Sequence, residues 1–159
     1  MWRGTVDGMG ILSAPDVAAV DTAVESLLAL YAAARDEAQV RLSSSQLQAM
    51  LVIERDEGLN LRALAGSMGM ILSSASRLCD RLAAAGLVER VASQIDRREV
   101  SLILTPSGQA ALHDLREDRR ARLESVLNRM APAGRAALVR GLREFTRVSS
   151  RTNVMRLSA

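Results

Sequence analysis

Residues Leu61 to Gly108 read LRALAGSMGMILSSASRLCDRLAAAGLVERVASQIDRREVSLILTPSG, and this stretch decides the fold. Asn60 just before it is a good helix cap, with Leu59 and Leu64 spaced to close a hydrophobic staple. The pattern predicts a short helix from Leu61 to Met68, stopped at Gly69 by the residue type that most readily turns left-handed. A second amphipathic helix is expected from about Leu72 to Ala85, ended by Gly86. Leu87 to Ala92 and Arg98 to Leu104 then alternate as strands, with Val100, Leu102 and Leu104 on one face. Short helix, tight turn, longer helix and hairpin make a winged helix-turn-helix. Such a unit holds one helix at an angle that fits the major groove of DNA.

Working outward, helices are expected on both sides. On the N-terminal side, Met1 to Pro15 has three glycines and no clear period, and reads as a loose arm. Asp16 is placed to cap a helix to about Gln39, with Val17, Val20, Val24, Leu27, Leu28 and Tyr31 at helical spacing. Another helix starts in the run Ser43-Ser44-Ser45, carries Leu47, Leu51 and Val52, and breaks near Gly58. On the C-terminal side, Thr105-Pro106 pairs a capping hydroxyl with proline at the first helical position. The helix behind it should run to about Met130. Ala131-Pro132 restarts a last helix with Leu138, Leu142, Phe145 and Val148 inward, and the tail after Arg151 is expected to fray. The fold class is therefore mainly α with a small β-hairpin wing. One domain is expected over 1–159: 43–105 form the winged motif, while 1–39 and 106–151 are mainly helices for dimerisation. The terminal stripes have no partner inside the motif, so they should pack on each other or on a second copy.

Composition narrows the classes. The 159 residues suit one domain, and 48% hydrophobic with 25% charged residues is an ordinary globular balance. The net charge is only +3, compatible with nucleic acid without arguing for it, because clustering decides binding. The chain has no lysine, so every long basic side chain is arginine. Trp2, Tyr31 and Phe145 are its three aromatics, too few for stacking platforms, which argues against single-strand binding. No secretory leader and no apolar run approaching a membrane span is read from the sequence, and a single cysteine fits a reducing cytoplasm. The expected localisation is cytoplasmic, with no membrane partner.

The stretch Leu61–Gly108 resembles the MarR (multiple antibiotic resistance regulator) family of bacterial transcription factors. The matching elements are LRALA, Gly69, SRLCDRL ending in Gly86-Leu87-Val88, then Asp96-Arg97-Arg98, then Leu104-Thr105 with Gly108. The flanking helices extend the likeness to nearly the whole chain. The resemblance implies a homodimer with interlocked terminal helices, a recognition helix in the major groove and a wing arginine in the minor groove. It also implies, for many members, release of DNA on binding a small lipophilic or phenolic effector, or on cysteine oxidation. The expected function is that of a homodimeric, ligand-responsive repressor on a pseudo-palindromic operator. A dimeric protein-interaction module that has lost DNA binding is the alternative.

The recognition helix should bury Ala75, Leu78, Cys79 and Leu82. It then presents Ser73, Ser76, Arg77 and Asp80, flanked by Ser74 and Arg81. Small hydroxyls let the backbone approach base edges, and Arg77 has the fork to pair with guanine. Where the family has a small polar cap, this chain has Ile71 followed by Leu72. Either the helix begins later with Ser73 as cap, or it begins uncapped. Core packing is the expected role of the apolar run Met70-Ile71-Leu72. In the wing, Arg97 is the expected groove residue, Arg98 its companion or a phosphate contact, and Asp96 a carboxylate that fixes an arginine rotamer. Asn60 and Arg62 are further phosphate candidates near a helix start.

Other chemistry-bearing residues read blandly. Cys79 lies on the inward stripe and is expected to be an inert small hydrophobe, not a redox sensor. His113, the only histidine, lacks companions for a metal site, and a surface or interface place is expected. Asp114 to Arg120 reads as a solvated helix face with intrahelical pairs. Met50, Met68 and Met70 lie near where the family would form a ligand cleft. No cofactor is expected, and no nucleophile–base pair, metal spacing or phosphate loop suggests an enzyme.

Overall fold

The computed structural model describes residues 14–38, 40–92 and 100–157. In chain order these form α1 (Ala14–Glu37), α2 (Ser44–Arg55), α3 (Leu61–Ser67), α4 (Leu72–Ala84), β1 (Val88–Ala92), β2 (Val100–Leu104), α5 (Pro106–Asn128) and α6 (Pro132–Leu157). The architecture is the mainly helical one with a two-stranded antiparallel hairpin. The chain divides into two compact units, Met1–Arg119 and Arg120–Ala159.

Local chemistry explains most boundaries. Ser43 caps α2 through a full capping box: the Gln46 amide donates to the Ser43 hydroxyl at 3.2 Å, and the Ser43 amide to Gln46 Oε1 at 2.9 Å. Asn60 caps α3, its Oδ1 accepting from the Ala63 amide at 2.9 Å. Gly69 and Gly86 follow α3 and α4 with φ of 62° and 70°, left-handed values that cost a side-chain-bearing residue. Asp16 does not cap α1: that helix already starts at Ala14, and Asp16 sits in its first turn, where a carboxylate opposes the helix dipole. α6 runs to Leu157, past the fraying expected after Arg151.

The core of the first unit is built by α2, α3, α4, the hairpin and one turn of α5. Met50, Ile53, Leu64, Leu78, Leu82, Leu102 and Leu112 are its largest fully buried side chains. α1 contributes Ala34 to it, and Arg35 of α1 donates to the Ser44 hydroxyl of α2 at 2.7 Å.

β1 pairs β2 in the register Val88↔Leu104 to Ala92↔Val100. The far side of β2 is also occupied. The Leu102 amide donates to the Leu59 carbonyl at 2.9 Å, and Asn60 bridges Ser101. This second pairing changes the expected burial. Leu102 and Leu104 are buried, but so is Ser101, and Val100 is exposed.

Two expectations about the flanking helices are corrected. Leu138, Leu142, Phe145 and Val148 of α6 do not point into a core of this chain; all are exposed, Phe145 by 64%. On α1, Val17, Val20, Val24 and Leu28 are exposed as well. Residues Asp16–Asp36 are long and apolar enough to cross a membrane by length and composition alone, contrary to the sequence reading. Asp21 and Glu25 lie inside that segment, where a bilayer would penalise both charges.

Candidate nucleic-acid interface

The helix that would read DNA is held by its apolar side. Ala75, Leu78, Cys79 and Leu82 are all buried, as the spacing predicts. This leaves Ser73, Arg77, Asp80 and Arg81 exposed, while Ser74 and Ser76 are half-buried. Ser73 and Arg77 are four residues apart and so share one face of the helix.

The start of α4 settles the capping alternatives. Ile71 occupies the cap position in extended geometry, φ −72° and ψ 149°, with no side-chain cap hydrogen bond. Its carbonyl accepts from the Ser74 and Ala75 amides at 3.0 and 3.1 Å. Ser73 therefore lies inside the helix. A serine or asparagine in place of Ile71 would typically gain about 1 kcal/mol of helix stability. The expected core packing holds for Met70, half-buried against the core, but not for Ile71, 70% exposed, or Leu72, 47% exposed.

Asp80 is engaged by Arg90 of β1, whose Nη2 lies 2.8 Å from Oδ1. The pair joins the exposed flank of α4 to the first strand of the hairpin. Sequence reasoning missed Arg90, since nothing in a strand pattern says which helix residue it faces. Arg62 is exposed in the first turn of α3, and the Asn60 oxygen is occupied in capping that same helix. Asp96, Arg97 and Arg98 lie outside the described residues.

The remaining candidates fall into place. Cys79 is completely buried, and burial pushes its thiol above the ordinary range. Met50 is likewise fully buried, while Met68 and Met70 pack half-buried against the core. His113 is exposed. Among the described residues no three His, Cys, Asp or Glu side chains cluster as a metal site would require. The charged stretch of α5 is less solvated than expected. Leu115 is buried, and Arg116 pairs across to Glu54 of α2 in a two-pronged bridge, one prong at 2.8 Å. That hydrogen-bonded guanidinium holds the Glu54 carboxyl below its usual range. Arg119 stacks over the Tyr31 ring at 4.8 Å from its centre.

A half-buried helix-turn-helix followed by a hairpin, with an exposed serine-and-arginine face on the second helix, defines a winged-helix protein. The MarR family model matches residues 42–100. The chain is 29% identical over 106 residues to the uncharacterized HTH-type transcriptional regulator YfiV of Bacillus subtilis, an alignment covering 67% of this chain and 66% of that protein. The crystal structure of RV1404 from Mycobacterium tuberculosis superposes with a TM-score of 0.78 at 29% identity, covering 88% of this chain and 97% of that one. Streptococcus pneumoniae FabT, solved in complex with DNA, shares the fold with a TM-score of 0.63 at 20% identity, over 86% of this chain and 99% of its own. Over its helix-turn-helix and first strand the chain is thus similar to the MarR family, and along most of its length to a regulator of the HTH type and to solved proteins of the same fold.

Proposed function

We propose that this chain is a cytoplasmic, ligand-responsive repressor. It would bind a pseudo-palindromic operator as a homodimer, with α4 in the major groove and the wing in the minor groove. One observation carries the reading: the apolar stripe of α4 is wholly buried while Ser73, Arg77 and Arg81 stand exposed beside it. Such a helix is rigidly held and presents hydrogen-bonding side chains outward, as groove reading requires. Ser74 and Ser76 complete the surface, with Asn60 and Arg62 toward the phosphates. Asp96, Arg97 and Arg98 supply the wing. The DNA complex of FabT, which shares the fold, supports duplex DNA as the partner.

Dimerisation is supported by the exposed apolar side chains of α1 and α6, each too large a set to leave in water on a stable monomer. In this reading 1–159 act as one functional domain, with 1–39 and 106–151 supplying the dimer helices. For the small effector, the candidate place is an open groove of about 470 Å³ bordered by Ala38, Val40, Ala111 and Leu115 and by the acids Asp114, Glu117 and Asp118, which favours a phenolic molecule with donor groups over a purely lipophilic one.

The exposed Ile71-Leu72 pair favours a second reading, a dimeric interaction module without DNA binding. A fluorescence-anisotropy titration against duplex from upstream of the gene, with sedimentation of the free protein, separates the two. The repressor reading expects a dimer and tight binding that weakens steeply with salt. A dimer indifferent to every duplex would leave only the interaction module, and a monomer would overturn both.

A further inference from the structure

We infer that Ile71 is a specificity determinant, reading the C5-methyl group of a thymine in the major groove. The inference rests on the DNA-binding reading above and goes beyond its serine and arginine contacts. Ile71 is the most exposed large apolar side chain among the described residues, at 70%. It stands at the start of the very helix whose N-terminal residues would face base edges.

Two features argue against an accidental surface isoleucine. The other helices of the motif, α2, α3 and α5, are entered through Ser43, Asn60 and Thr105, each with an oxygen accepting from a backbone amide. Of these four helices the reading helix alone gives up that local stabilisation, which is the kind of departure expected at a functional position. The same helix also carries polar groups suited to duplex DNA: Ser73 follows two residues on and Arg77 six, both exposed. A protein partner would need a broader apolar surface, whereas here Ile71 and Leu72 adjoin a polar helix face.

The chemistry of the groove then selects the target. Of all the groups the four base pairs present in the major groove, the thymine methyl is the apolar one. Water leaves both hydrocarbons when they meet, so thymine is favoured over cytosine or uracil at that step without any hydrogen bond. The polar neighbours would supply the remaining discrimination.

The test first selects bound duplexes from a random pool with the full chain. Each thymine of the selected site is then replaced by deoxyuridine, which removes the methyl group alone. Affinities are read by anisotropy for the natural chain and for Ile71→Ser, which restores a capping hydroxyl. We expect a thymine whose replacement weakens binding about three- to fivefold, the worth of one buried methyl. Ile71→Ser should bind thymine and deoxyuridine sites alike while melting no lower than the natural chain. The inference is overturned if duplex is bound but no thymine is sensitive, or if Ile71→Ser keeps the same sensitivity. Failure to select any duplex is a different outcome, which sinks the regulator reading and this inference together.

Discussion

A β-carbon on Gly108 would overlap the carbonyl oxygen of Leu87, whose carbonyl carbon lies only 3.0 Å from that position. The contact is the centre of a clasp between α5 and the start of the hairpin. The Thr105 amide donates to the Leu87 carbonyl at 3.1 Å, and the Thr105 hydroxyl to the Gly86 carbonyl at 2.6 Å. The Gly108 amide in turn donates to that hydroxyl oxygen at 3.0 Å. The Leu-Thr-x-x-Gly signature thus has a mechanical meaning. Threonine caps the helix and ties it to Gly86, and glycine lets the two backbones approach.

Gly108→Ala should therefore destabilise the chain by about 3 kcal/mol, since the obstacle is backbone on both sides. Urea denaturation followed by circular dichroism measures it. A cost below about 0.5 kcal/mol would show that the helix start can shift at will.

Arg77 is exposed and, among the described residues, forms no ion pair like those of Asp80 or Arg116. Arg77→Ala should lower affinity for the preferred duplex between about 5- and 150-fold, the range for one guanine-pairing arginine. The melting temperature should stay where it was. Loss confined to one base position would mark Arg77 as a base reader, whereas equal loss on all sequences would mark a phosphate contact.

The Glu54–Arg116 bridge links α2 to α5 and carries a sign. The folded carboxyl titrates below its unfolded value, so its stabilisation is present above the ordinary glutamate range near about 4.3 and fades as pH falls through and below it. Both side chains are over a third exposed, at 35% and 42%, and solvent screening limits the pair to at most about 1 kcal/mol. Glu54→Gln should cost that much or less at pH 7, and the two stability curves should converge in acid as pH falls through the lowered carboxyl range. A gap that persisted in acid would mean lost packing, not lost charge.

Cys79 is completely buried, and its thiol is raised by burial. A thiol-specific disulfide reagent should leave the folded chain unmodified and label it at the rate of unfolding. Rapid stoichiometric labelling at neutral pH would instead make Cys79 accessible to oxidants.

Much of the architecture was legible because the signals were local. The caps at Ser43, Asn60 and Thr105, the stops at Gly69 and Gly86, and the stripe Ala75-Leu78-Cys79-Leu82 each depend on neighbours a few residues away. What escaped the sequence was set at a distance. Ser101 is buried because Asn60, forty-one residues earlier, bridges to it, and no strand periodicity encodes that. Arg116 pairs with Glu54, although its own helix offers acids at closer sequence range. The alternation that marked Leu138, Leu142 and Phe145 as inward was sound as a pattern. It said only that something apolar should meet that face, not that this chain supplies it. Ile71 is apolar yet exposed, because hydrophobicity alone does not say which apolar residue a fold leaves outside.

The pairing of β2 on both sides has a further consequence. A hairpin lying at the margin of a fold can be peeled away bond by bond from its open side. Here the returning strand is an inner strand, hydrogen-bonded to β1 on one flank and to the Leu59–Asn60 segment on the other. A pull on β2 would load its ladder to β1 and its hydrogen bond to Leu59 together. It would also be felt at once by Asn60, and so by the first turn of α3.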